Sequence, residues 1–215
     1  RVRQIESEIK AEIERILFAL SQKFHAIKAE ILLAAEVLAA LDCVNARAKY
    51  SIHTHSNPAE ICDTKQVELQ AMRHPLLIET CENIVENDFY LNENVNSLII
   101  TGSNTGGKTV TLKTVGLLAL MTFSGMHIPV LFGRIFPFRR VYADISEEQS
   151  IAQSLSTFSA HIKNVVNILN HATDKDLVLF DELGAGTDPE EGAALARAIL
   201  EFLASKQVLT ITTTH

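Results

Sequence analysis

The sequence predicts an α/β fold: a mainly parallel sheet with helices on both faces, preceded by long α-helices. Three observations carry that prediction. From about residue 97 onward, short apolar runs alternate with helical patterns, the order that strand–helix–strand units require. One strand–helix junction there, "TGSNTGGKT" at 101–109, is a glycine-rich loop, although no glycine occurs before residue 102. Residues 1 to about 47 contain neither glycine nor proline and keep apolar residues at three- and four-residue steps.

That first stretch places Ile5, Ile9, Ile13, Ile16, Leu17, Leu20, Phe24, Ile27 and Ile31 on one helical face. The pattern fits one long rod or a helical hairpin turning near residues 21–26. Its apolar stripe reads as a packing surface for a neighbouring helix or domain, with a coiled-coil dimer seam as the alternative. In "SIHTHSNPAEICD" the texture turns polar and the first proline, Pro58, appears. This marks a boundary between a helical segment, 1–63, and a second domain, 64–215. His53 and His55, without further ligands nearby in sequence, read as exposed loop histidines.

In the second domain "SLIIT" (97–101) reads as a buried strand and 108–124 as a helix. "HIPV" and "FRRVYADI" read as strands, and 157–172 as a helix lined by Phe158, Ile162, Val165, Val166 and Leu169. "LVLF" (177–180) is a buried strand, 190–206 a helix and "VLTITTT" (208–214) a final strand.

With 215 residues and a 47 % hydrophobic composition, the chain has room for one full domain and an appendage. A net charge of −7 argues against a large basic nucleic-acid footprint. Cys43, Cys62 and Cys81 are odd in number and lack C-x-x-C spacing, which suits reduced intracellular thiols rather than disulfides or zinc. No signal peptide or bilayer-length apolar run is visible, so a cytoplasmic protein without a membrane partner is expected. Both ends fall inside patterned segments, which reads as a piece of something longer.

The loop matches G-x-x-x-x-G-K-[ST] through Gly102, Gly107, Lys108 and Thr109, between an apolar strand and a helix. Wrapping phosphate oxygens requires several backbone N–H groups aimed at one point, which side chains at Gly102, Gly106 and Gly107 would obstruct. The following helix N-terminus adds partial positive charge. The expected ATP-binding segment is Gly102, Ser103, Asn104, Thr105, Gly106, Gly107, Lys108, Thr109 and Val110. Lys108 would reach the terminal phosphates and Thr109 would ligate Mg²⁺. Downstream, "LVLFDE" ends a buried strand in Asp181 and Glu182, at the edge where open α/β sheets place ligands. Asp181 is expected in the Mg²⁺ shell, and Glu182 is expected to orient or deprotonate the attacking water. A polar strand end that caps the next helix is the bland reading of either residue alone.

The runs "TGSNTGGKTVTLKTVGLLALM", "SLSTFSAH", "LVLFDELGAGTDPEEGAALA" and "TTTH" resemble the ATPase domain of the MutS family, a branch of the ABC-type P-loop ATPases. The resemblance covers roughly residues 64–215 and is nearest to the bacterial type-two paralogues. It implies that Asn104 contacts the terminal phosphate or lytic water, and that His215 senses the γ-phosphate. It also implies that Ser156 reaches the ATP of a partner subunit, although local chemistry fits a plain helix cap equally well. "GAGTDPEEG" resembles the dimer-facing loop, in which Asp188 is also placed to cap the next helix. "RHP" (Arg73–Pro75) resembles the start of the ATPase domain. Ser103 stands where the family usually has proline, a position the phosphate motif does not fix. Residues 1–60 resemble the end of the family's helical core and lever.

What the resemblance implies is an ATPase: a homodimer with composite ATP sites that drives a clamp on branched or mismatched DNA in repair or recombination control. The alternative is a nucleotide-gated module of a ribosome-acting quality-control factor with slow turnover. A chromosome-maintenance head would instead carry an "LSGGQ"-like signature, which "SLSTFSAH" is not. The resemblance also implies dimerisation helices and a small nuclease (Smr) domain beyond His215, and the missing continuation is expected to leave a sheet edge that weakens stability or promotes self-association. Nuclease activity is not expected of these residues.

Overall fold

A computed structural model describes residues 1–81, 83–103, 106–145, 154–185 and 187–214, with backbone alone for 154–160. Residues 1–49 form one structural unit and residues 50–215 another. Among the described residues no helix is long and apolar enough to cross a membrane.

Two helices, α1 (Val2–Ala26) and α2 (Lys28–His53), account for the first unit, and α2 runs on into residue 53. Absence of glycine and proline lets the pattern run, and Lys23 and His25 sit in the last turn of α1, where cations oppose the helix dipole. The interruption is one residue long. Ile27 leaves the helical region at φ −114°, ψ 18°, and its N–H donates three residues back to Phe24 O at 3.2 Å, tightening the last turn. A hairpin would bury the facing side chains of its two arms, yet every residue from 1 to 49 is exposed. The first unit is therefore the rod of the two sequence readings, with a fault at Ile27.

The second unit contains, in order, β1 (Glu60–Ile61), β2 (Val67–Met72), α3 (Pro75–Ile78), β3 (Asn87–Leu91), β4 (Ser97–Thr101) and α4 (Lys108–Phe123). Then follow β5 (Phe132–Ile135), β6 (Arg140–Asp144), α5 (Ser154–His171), β7 (Asp176–Phe180), α6 (Pro189–Ser205) and β8 (Leu209–Thr214). The expected parallel sheet is present, in the order β4-β8-β7-β6 with every pairing parallel. A second sheet, β1-β5-β2-β3, was not expected; β2 runs antiparallel to both neighbours. "HIPV" forms no strand. Ile128 makes a single bridge to Asn57, and Val130 N–H turns back to Ile128 O.

Strand alternation decides which helix covers which face of the parallel sheet. Leu177, Leu179, Leu209 and Ile211 join Leu112, Val115 and Leu118 of α4 in one core. The intervening Val178 and Phe180 pack instead with Val165 and Ile168 of α5 and Ile199 and Leu203 of α6. The first core also takes in Val67, Leu69, Phe89, Leu91 and Ile135 of the second sheet. Helix α4 thus packs in one core with both sheets, while Lys113 and Leu120 stay exposed. Each fully buried Leu in such a layer contributes about 1.5–3 kcal/mol. Gly116 lets α4 approach β7, because a Cβ there would run into the Leu179 side chain.

A candidate phosphate and metal site at the strand tips

The parallel strands β4, β7 and β8 end together, and α4 starts beside them. Between β4 and α4 the chain must reverse within a few residues. Gly106 N–H closes one turn on Ser103 O at 3.0 Å, and Gly107 caps α4 in the left-handed region at φ 75°. For any L-residue with a Cβ that conformation costs about 1–2 kcal/mol, which is why glycine stands there. The N-terminus of α4 consequently opens toward the tips of β7 and β8.

Lys108, the first residue of α4, is 5 % exposed. Its ammonium donates to Gly102 O at 2.5 Å and to Thr214 O at 3.1 Å, so it spans the loop and the end of β8. The next residue, Thr109, donates its hydroxyl to Asp181 Oδ1 at 3.0 Å. The same Asp181 oxygen accepts the Thr213 hydroxyl at 2.6 Å, and Thr213 Oγ1 in turn accepts the N–H of Glu182 at 2.9 Å. Asp181 itself is 8 % exposed, and its backbone N–H donates to Asp144 O at 2.9 Å. Glu182 takes φ 53°, a left-handed conformation costing a non-glycine residue on the order of 1 kcal/mol or more. Surrounding bonds therefore hold the carboxylate tip in a conformation it would not choose.

Beside the loop lies a cleft of about 360 Å³, within the range of small-ligand pockets. Gly106, Gly107, Val110 and Thr111 form its loop and α4 side, and Met72, His74, Leu77, Ile84 and Val85 its other wall. His74 Nδ1 is buried there and, among the described residues, has no hydrogen-bond partner. Burial first, and the charge of Lys113 second, hold the His74 imidazole below its ordinary pKa of 6.5. Arg73 secures the segment by donating to Thr54 O at 2.8 Å and His55 O at 3.2 Å.

The fold thus brings Gly102, Ser103, Gly106, Gly107, Lys108 and Thr109 together with Asp181 and Glu182, while Val110 lines the cleft. Ser156 falls inside the first turn of α5 rather than in front of it; its side chain lies outside the described residues. Asn104, Thr105 and His215 also lie outside them. Asp188 caps α6, accepting the N–H groups of Glu190 at 3.0 Å and Glu191 at 3.4 Å. His53 is the last residue of α2 and meets Glu79 at 3.0 Å. Sequence reasoning missed Thr213 and Asp144. The available signal for Thr213 was the "TTT" run, in which strand alternation aims every second side chain at the helix-bearing loop.

Comparison with known proteins places this geometry in context. The model of MutS domain V matches residues 98–215. Over all 215 residues the chain is 47 % identical to the Endonuclease MutS2 of Acetivibrio thermocellus and 48 % identical to that of Finegoldia magna. It is 47 % identical over the same length to the Putative endonuclease MutS2 of Bacillus subtilis. The alignments cover 27 % of each relative, so the chain spans about a quarter of their length.

Proposed function

The chain belongs to the MutS family, whose domain V it carries, and on that premise we propose that its second domain, residues 64–215, binds Mg²⁺ and ATP and hydrolyses the nucleotide. The observation that carries this reading is the 3.0 Å separation of Thr109 Oγ1 and Asp181 Oδ1 at a helix N-terminus. Adjacent ligands of an octahedral Mg²⁺, each about 2.0–2.1 Å from the ion, stand about 2.9 Å apart. Both donors are hard oxygens, so the pair fits the ion in spacing and in chemistry. When bound, the ion supplies Lewis-acid charge at the phosphate oxygens.

The protein groups do the rest. Backbone N–H groups of the glycine loop and the start of α4 hold the phosphates, and Lys108 exchanges its carbonyl partners for phosphate oxygens. Glu182, held just beyond Asp181, orients the attacking water and accepts its proton. Asn104 and His215 act on the terminal phosphate, and the cleft beside Val110 takes the nucleoside. Ser156 serves the ATP of a second copy, making a homodimer with composite sites. In the whole protein we place this cycle behind a clamp on branched or mismatched DNA, in the cytoplasm, with regions outside these residues making the DNA contacts. The relatives carry the name endonuclease; we assign no nuclease chemistry to this stretch.

The test compares the chain with Lys108→Ala and Glu182→Gln for ATP affinity, phosphate release and mass in solution. Lys108→Ala should lose ATP binding by more than about tenfold, and Glu182→Gln should bind ATP yet release phosphate at least about a hundredfold more slowly. Phosphate release by Glu182→Gln at the parent rate would overturn the assignment. Binding and dimerisation without turnover in the parent chain would replace it with a nucleotide-gated module, such as a ribosome-acting factor would use.

A further inference from the structure

Asp144, at the end of β6, bonds in two directions. Its side chain is 12 % exposed, and it accepts from His161 Nδ1 at 3.1 and 3.2 Å through its two oxygens. Asn164 Nδ2 donates to Asp144 Oδ1 at 2.9 Å and also to Ala143 O at 3.1 Å. His161 and Asn164 lie three residues apart on α5 and so share one helix face. A carboxylate only accepts, so His161 Nδ1 must carry the proton in this pair. In the other direction the main-chain oxygen of Asp144 accepts the N–H of Asp181 at 2.9 Å, and Asp144 stands opposite Phe180 in the β6–β7 register.

We propose that Asp144 is a positioning residue: it clamps the first half of α5 to the strand tip that carries Asp181 and Glu182, and so sets where the first turn of α5, with Ser156, stands during turnover. This rests on the ATP-hydrolysing reading above. The division of labour is physical. Val165, Ile168 and Ala172 press α5 onto the sheet, but apolar packing is non-directional and resists sliding along the helix axis poorly. Two directional bonds to one carboxylate resist it, and they lie at the end of α5 nearest the tips. At 1.5 Å per residue, Ser156 is only about 7.5 Å along the axis from His161. Asp144, His161, Asp181 and Glu182 line one small cleft, so a displaced α5 would disturb the same space as the acidic pair.

The experiment uses this chain and its Asp144→Ala, Asp144→Asn, His161→Ala and His161→Asn variants, all checked for parent-like melting. Amide exchange is read without nucleotide, and ATP affinity and single-turnover hydrolysis with it. In Asp144→Ala, amides in the first half of α5 and of Asp181 should exchange about tenfold faster or more, with α4 and α6 unchanged, as loss of charged hydrogen bonds predicts. Turnover should fall by about tenfold while ATP affinity stays within about threefold, because Lys108 and Thr109 are untouched. His161→Asn keeps a donor near the Nδ1 position and should recover most of the rate that His161→Ala loses. Removing both partners should cost no more than removing Asp144 alone. Where Asp144→Ala melts early, Asp144→Asn, which keeps the volume, takes its place. Unchanged α5 exchange, or equal losses of affinity and rate, would overturn the proposal. A parent chain that hydrolyses nothing would sink the ATPase reading by itself, and the exchange data would still decide the clamp.

Discussion

Replacing Thr213 with valine keeps the shape of a fully buried side chain and removes one oxygen. That oxygen donates to Asp181 at 2.6 Å and accepts from Glu182 N–H at 2.9 Å. A hydrogen bond to a charged group is worth about 1.5–3 kcal/mol, and an orphaned amide costs about 1–3 kcal/mol more, less where water reaches it. The two terms share one atom and do not simply add, so the expected loss is about 2–4 kcal/mol. For a unit of this size that lowers the melting midpoint by about 5–15 °C. The chain has no tryptophan, so calorimetry is the suitable assay. Thr210→Val is the control: Thr210 is equally buried, but among the described residues its hydroxyl makes one long bond, 3.4 Å, to Val208 O. It should lose less than about 1 kcal/mol. Equal losses from the two variants would refute the reasoning, since hydroxyl burial in general would then account for both.

Gly192→Ala should destabilise the second unit by about 2–4 kcal/mol, because the new Cβ would run into the Gly184 carbonyl; calorimetry reads this, and a parent-like midpoint would refute it. Asp188→Ala should cost about 1 kcal/mol and speed amide exchange in the first turn of α6, while Asp188→Asn should retain the cap. For His74 the sign follows from its lowered pKa. Below its ordinary value of 6.5 the unfolded chain takes the proton before the folded one does, so stability falls as pH drops through that window and levels off beneath the folded pKa. His74→Gln should remove that part of the pH slope of the melting midpoint, and identical slopes would dismiss the effect.

The glycine loop and the acidic strand end were legible because each combines a periodic pattern with a residue that breaks it. Gly107 and Lys108 follow an apolar strand, and Asp181 and Glu182 terminate another. The second sheet was not legible, for three reasons. Strand β1 is two residues long, β2 is interrupted at Ala71, which takes φ 50° where the register shifts, and β5 pairs with β2 from far along the chain. None of these leaves a local period to read. "HIPV" failed for the converse reason: a short apolar run can be buried without being a strand, as Ile128 and Val130 are. Thr213 hid among chemically identical neighbours, and the partners of Asp144 depend on where α5 lands, which no local pattern specifies.

The burial of α4 between two sheets bears on how the second unit comes apart. Leu112, Val115 and Leu118 of α4 share one core with residues of both sheets, so neither sheet can detach without uncovering them. The antiparallel sheet, α4 and the parallel sheet should behave as one cooperative folding unit, melting in a single transition, with α4 amides among the last to exchange. Helices α5 and α6, which cover only the far face, can open first and leave the phosphate loop standing.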